Sequence, residues 1–98
     1  MKIVIVGAGV VGEALCSELS EINNDVILIE KEEEILNKVI EKNDITGLAG
    51  NGASYENLLE AGVDTADIFI AVTEADELNI ISCIMAKKLG ANYTIARV

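Results

Sequence analysis

Apolar residues in this 98-residue chain fall alternately into short continuous runs and into stripes at helical spacing. Ile3–Val6 is apolar at every position, as a strand covered on both faces should be. From Val11 to Ile22 the residues Val11, Leu15, Leu19 and Ile22 form one stripe, with Glu13, Ser17, Ser20 and Glu21 away from it, which predicts an amphipathic helix. Asn23-Asn24-Asp25 turns the chain into a second strand, Val26–Ile29. Glu32, Glu33 and Glu34 then crowd a helix start, where the helix dipole favours acids, and Ile35, Leu36, Val39 and Ile40 share that helix's apolar face. Asp44–Ala49 reads as a shorter third strand running into Gly50-Asn51-Gly52, followed by a short helix over Tyr55–Ala61 with Gly62 at its C-cap. Ile68–Val72 is a fourth buried strand. Thr73-Glu74-Ala75-Asp76 has the pattern of a capping box for a helix reaching about Leu89, and Gly90 stops it. Tyr93–Val98 opens a fifth strand.

Strand and helix alternate throughout, hairpin signals are missing, and the chain has no proline. Such a βαβ series predicts an α/β fold, a Rossmann-like doubly wound parallel sheet with right-handed crossovers and strand order 3-2-1-4-5. A ligand crevice is then expected between strands 1 and 4 at their carboxyl ends. No linker, low-complexity segment or internal repeat divides residues 1–98, so one domain is expected. A buried parallel strand at Val98 leads us to expect a sixth strand and its helix in a longer protein.

The first turn carries the chemistry. Gly7-Ala8-Gly9-Val10-Val11-Gly12 is a G-x-G-x-x-G between a strand and a helix, and the acid Glu30 ends the next strand. Gly7 permits the sharp reversal out of the strand. Gly9 lets backbone approach a pyrophosphate, and Gly12 lets the helix pack close to the strand. The unpaired amides of that helix sit at its positive end and suit a diphosphate. Glu30 is placed to accept hydrogen bonds from both ribose hydroxyls, and its charge repels a 2′-phosphate, which favours NAD(H) over NADP(H).

Composition narrows the partners. The chain is 51% hydrophobic with a formal net charge of −10, so it has no basic stripe to displace counterions from nucleic acid or to meet an anionic membrane. No apolar run approaches the roughly 20 residues of a membrane span. Met1-Lys2-Ile3 enters a strand directly, so no signal peptide is expected. Cys16 and Cys83 each fall inside a helical pattern and read as buried free thiols, which points to the cytosol.

Three later segments are more specific than the glycine motif: Gly50-Asn51-Gly52-Ala53-Ser54, the run from Ala66 through Thr73-Glu74-Ala75-Asp76-Glu77-Leu78-Asn79, and Ile95-Ala96-Arg97. Over essentially its whole length the chain resembles the N-terminal nucleotide-binding domain of Trk/Ktr potassium-uptake regulatory subunits, the RCK or KTN family. That resemblance implies a domain that binds NAD(H) or adenine nucleotides without chemistry on them and regulates a membrane potassium translocator. It would lie in the cytoplasm, peripheral to the inner face of the membrane through that partner. Carried over by position, Gly7, Ala8, Gly9, Val10 and Val11 would hold the diphosphate, and Glu30 the adenosine ribose. Asn51 would lie near the adenine, Thr73 and Glu74 at the far half of the ligand, and Arg97 would reach the crevice from strand 5. Two positions depart from the family pattern. Val10 stands where ATP-binding members carry Arg, which removes a cation from the phosphate site, and Asn51 stands where Asp is usual.

Two other readings stay open. An ATP, ADP or AMP sensor shares the fold and most contacts. The cofactor domain of an NAD-dependent dehydrogenase would need an acid or base and a substrate site. The chain has no histidine, and Tyr55 and Tyr93 are followed four residues on by Leu59 and Arg97 rather than Lys. Two isolated cysteines without histidine make no ordinary zinc site. Finally, Leu78, Ile80, Ile81, Cys83, Ile84, Met85, Ala86 and Leu89 surround most of the helix Asp76–Leu89. One sheet needs a single stripe, so this helix is expected to be buried on a second side, by the missing C-terminal helix or by a second subunit, and the resemblance implies a subunit, in a dimer or ring.

Overall fold

The computed structural model describes residues 1–98. Its elements are β1 (Lys2–Val6), α1 (Val10–Ser20), β2 (Asp25–Glu30), α2 (Glu33–Lys42), β3 (Thr46–Ala49), α3 (Tyr55–Glu60), β4 (Ile68–Ala71), α4 (Asp76–Leu89) and β5 (Tyr93–Ala96). A single 3-10 turn, Val63–Thr65, joins α3 to β4. The strands form one sheet in the order β3-β2-β1-β4-β5 with every pairing parallel, the predicted order. No helix is long and apolar enough to cross a membrane.

Strand pleating divides the core between the two faces of the sheet. Ile3 and Ile5 pack with Val26, Leu28, Ile70 and Val72 against α1 and α2, through Cys16, Leu36 and Val39. Val4 and Val6 pack with Ile27, Ile29, Phe69 and Ala71 against α3 and α4, through Leu58, Cys83 and Ala86. Both faces are covered, which is why the strands read as continuous apolar runs.

Several boundaries and faces differ from the sequence expectation. The third strand starts at Thr46 rather than Asp44, the fourth ends at Ala71 and the fifth at Ala96. In α1 the expected stripe is displaced. Gly12 and Cys16 are buried, Leu15 and Leu19 are half-buried, and Val11 and Ile22 are exposed. The cause is Gly12, where any Cβ would overlap the carbonyl oxygen of Gly7. Helix and strand meet so closely there that the seam runs through the small residues.

The capping box is also absent. α4 begins two residues later than that pattern requires, its N-cap is Ala75, and no side chain caps it. Its inward face is small and polar, with Asn79, Ser82, Cys83 and Ala86 buried, while Ile80, Ile81 and Ile84 are exposed. Asn79 and Ser82, which break the apolar pattern in sequence, therefore point inward.

Candidate functional site

The chain order leaves β1 in one direction for β2 and β3 and in the other for β4 and β5, so the crossover direction switches between β1 and β4. There a crevice of about 710 Å³ opens at the carboxyl ends of the strands. Its walls are the β1–α1 turn, the end of β2, the Gly50-Asn51-Gly52 turn, the β4–α4 loop and Arg97 beyond β5. Of the residues singled out from sequence, Gly7, Ala8, Gly9, Val10, Val11, Glu30, Asn51, Thr73, Glu74 and Arg97 all line it. Gly12 does not. It is buried beneath the turn, where it sets the distance between α1 and β1.

The turn itself distinguishes two kinds of glycine. Gly7 has φ +103°, and a Cβ on it would lie 3.0 Å from the backbone of Val72 and Thr73, so both conformation and space demand glycine. Gly9 has an ordinary extended φ of −72°, and a Cβ on it would meet nothing within 4 Å. The protein's own packing therefore does not require glycine at position 9. Gly9 lines the crevice, and the space its missing side chain leaves is open. Gly9 is also the N-cap of α1, no side chain caps that helix, and its first intrahelical bond runs from Glu13 N–H to Gly9 C=O at 2.9 Å. Uncapped amides and an open approach together make a cradle for an anion.

Glu30 closes the next wall. It is only 9% exposed, and its two carboxylate oxygens each accept a backbone N–H, Oε1 from Ala8 and Oε2 from Glu32, both at 2.8 Å. The side chain thus ties the β1–α1 turn to the β2–α2 loop. A carboxylate has about four lone-pair directions, so an acceptor site remains on each oxygen for a pair of hydroxyls. In the turn beyond the neighbouring strand β3, Asn51 Oδ1 accepts the Ala53 N–H at 2.8 Å, and Asn57 Nδ2 donates to the Asn51 carbonyl at 3.0 Å. Its own turn uses the oxygen of Asn51, which leaves the amide NH₂ as the group available to a ligand. Asp could make the same turn but could not offer that donor.

At the far end Thr73 is fixed from beneath by Asn79, which is fully buried and was not among the predicted site residues. Asn79 Oδ1 accepts from the Thr73 N–H at 2.9 Å and lies 2.6 Å from its hydroxyl. Asn79 Nδ2 donates to the carbonyls of Thr73 at 3.0 Å and of Arg97 at 2.9 Å. One buried amide therefore joins the ends of β4 and β5 to the first turn of α4. The clue in sequence is a polar residue on the inward side of an apolar helix, six positions after Thr73.

Lys31, Glu32, Ile35 and Leu78 also line the crevice. Ile35, expected on the core face of α2, is exposed there and offers an apolar wall beside Glu30. Cys16 and Cys83 are buried and free, as expected. Burial pushes both thiols upward, that of Cys16 to about 11 with a further contribution from Glu13, and neither lines the crevice.

Comparison with solved structures identifies the fold. The NAD(P)-binding domain of an exopolyphosphatase-related protein from Archaeoglobus fulgidus superposes with a TM-score of 0.84 at 16% identity, covering 98% of this chain and 71% of that one. The TrkA-N domain of the inner membrane protein ybaL from Escherichia coli gives 0.70 at 20% identity, covering 97% and 86%. Sequence similarity is closer. The chain is 47% identical over its full length to a Trk system potassium uptake protein TrkA homolog of Archaeoglobus fulgidus, and 39% identical to one of Methanothermobacter thermautotrophicus. It spans 22% of the first of those proteins and 45% of the second. The family described as the TrkA-N domain matches residues 3–98, and the chain belongs to that family.

Proposed function

We propose that this domain binds NAD(H) in the crevice, performs no chemistry on it, and conveys its bound state to a membrane potassium translocator as part of a longer Trk-type protein. Gly9 carries this reading. A glycine that neither conformation nor packing requires stands at an uncapped helix N-terminus, where a diphosphate needs close backbone approach. In this reading Gly7, Ala8, Gly9, Val10 and Val11 hold the diphosphate and Glu30 takes the adenosine ribose. The Asn51 amide and Ile35 face the adenine, and Thr73, Glu74 and Arg97 meet the far half.

Glu30 supports NAD(H) over NADP(H), because a 2′-phosphate would bring charge against a buried carboxylate. Val10 is 89% exposed in the glycine turn and supplies no cation there, which argues against a triphosphate. The absence of histidine, and the position of Tyr55 and Tyr93 outside the crevice lining, support a regulatory role over hydride transfer. The exposed Ile80, Ile81 and Ile84 of α4, beside the edge strand β5, support assembly with a second subunit through this helix. A cytoplasmic position peripheral to the membrane follows from the same reading.

Calorimetry on the 98-residue chain with NAD⁺, NADH, NADP⁺, ATP and AMP tests the proposal. NAD⁺ and NADH should bind more tightly than NADP⁺ and ATP. Equal affinity for NAD⁺ and NADP⁺ would overturn the role of Glu30, and turnover of NADH with small carbonyl compounds would overturn the regulatory reading.

A further inference from the structure

The hydrogen-bond network under Thr73 determines what that residue can recognise. Asn79 Nδ2 faces the carbonyls of Thr73 and Arg97, which only accept, so the nitrogen of the amide must lie on that side. Asn79 Oδ1 is then an acceptor with no proton, and the Thr73 hydroxyl 2.6 Å away donates to it rather than to the Ala75 carbonyl at 3.3 Å. The single proton of Thr73 Oγ1 is thereby used inside the protein. On its other side the same oxygen accepts the Ala75 N–H at 3.3 Å. One lone pair is left, on a half-buried residue that lines the crevice.

We infer that Thr73, oriented by the buried Asn79, is an acceptor-only contact that selects a hydrogen-bond donor on the far half of the bound nucleotide. The inference rests on the nucleotide reading proposed above and specifies its far subsite. The primary carboxamide of a nicotinamide can donate to Thr73. A phosphate or carboxylate oxygen cannot, and would set one lone pair against another. The charges at this end are Glu74 and the cation Arg97 in the lining, with Asp76 and Glu77 following in the first turn of α4, so the acids outnumber the one cation. Sites built to pair with one polar group reject the analogue lacking it much more strongly than apolar pockets reject a change in size. Asn79 is here a positioning residue: it touches Thr73 and Arg97 and does not line the crevice.

The test compares NAD⁺, its nicotinic acid analogue with a carboxylate in place of the carboxamide, and ADP, which ends at the diphosphate. Dissociation constants are measured by calorimetry for the parent chain, Thr73→Val and Thr73→Ser. The parent should prefer NAD⁺ to the acid analogue by about tenfold or more. Thr73→Val should bring the two dinucleotides to within about threefold of each other while ADP affinity changes by less than about threefold. Thr73→Ser, which keeps the hydroxyl, should keep the preference.

Equal binding of the two dinucleotides by a parent that binds ADP overturns this assignment and leaves the nucleotide reading standing. A preference that survives Thr73→Val traces to the charge of Glu74 and also overturns it. Failure of the parent to bind any of the three ligands overturns the nucleotide reading, and this assignment with it.

Discussion

Replacing Gly9 and Gly12 separately by alanine distinguishes a glycine kept for a ligand from one kept for the fold. At Gly12 the new methyl would overlap the Gly7 carbonyl, and both groups belong to backbone that no side-chain rotation can move. Relief requires α1 to lift from β1, which breaks the seam at Cys16 as well. Overpacking typically costs about 1–3 kcal/mol, and a backbone-to-backbone clash belongs at the upper end. For a domain of this size, about 3 kcal/mol corresponds to a fall of roughly 12–24 °C in Tm.

At Gly9 the methyl meets nothing, and φ −72° suits alanine. Alanine is a poorer N-cap than glycine, but it restricts the unfolded chain, and these effects offset each other to within about 1 kcal/mol. In the crevice the same methyl occupies the approach to a diphosphate. A clash costing about 1–3 kcal/mol there weakens NAD⁺ binding roughly fivefold to more than a hundredfold. Thermal melts followed by circular dichroism, with calorimetry against NAD⁺, read both effects. The reasoning fails if Gly9→Ala lowers Tm as far as Gly12→Ala does, or if it stays stable and binds NAD⁺ as tightly as the parent.

Glu30→Gln turns one acceptor into an NH₂ facing a backbone N–H, so urea unfolding should show a loss of about 1–3 kcal/mol, together with weaker discrimination against NADP⁺. Because burial raises the Cys16 thiol to about 11 from an ordinary 9.0, the unfolded chain ionises first as pH rises. Stability is therefore full below pH 9.0 and falls between there and about 11, and Cys16→Ser should flatten that decline in denaturant titrations at stepped pH. Ile80→Glu or Ile84→Glu should leave the unfolding free energy within about 1 kcal/mol of the parent, since both side chains are exposed, yet convert an assembly to monomer by sedimentation. A monomeric parent at tens of micromolar would refute that interface.

The sheet was legible because its central strands β1, β2 and β4 are buried on both faces and read as continuous apolar runs between striped helices. The candidate site was legible at Gly7, a glycine forced by geometry, and at Glu30, an acid that ends a strand, whereas Gly12 serves the packing beneath it. Three features were hidden for a common reason: they depend on which residue faces inward. Gly12 draws α1 so close that Gly12 and Cys16 lie at the centre of its seam with Leu15 and Leu19 packed at the side, while Val11 and Ile22 are left exposed. Ile35 lies beside Leu36 in sequence, yet it faces the crevice while Leu36 faces the core. The Thr73–Asp76 spacing matches a capping box, but the hydroxyl finds a stronger partner in Asn79, six residues on, and the helix starts at Asp76 without a side-chain cap. Local pattern rules describe a helix end by its own few residues, and here a buried amide one turn further along decides the outcome.

Glu30 and Asn79 are equivalent devices at opposite ends of the crevice. Each is a buried polar side chain whose partners are backbone groups of two separate loops: Ala8 and Glu32 for the first, Thr73 and Arg97 for the second. Peeling either loop away would cost a buried carboxylate or amide one of its partners, which is unfavourable. The walls are therefore formed before any ligand arrives, and ligand binding has little loop ordering to drive. On the proposed reading a nucleotide then cannot signal by folding these loops. It can act only through unequal affinity for alternative arrangements of whole subunits. The structure offers one short route for that inequality. Asn79, which sets the far end of the crevice, is followed on α4 by Ile80 and Ile81, whose side chains open the exposed apolar face. A shift of the first turn of α4 that alters the grip on Thr73 must also move that face, so crevice and subunit contact are joined through a single helix end.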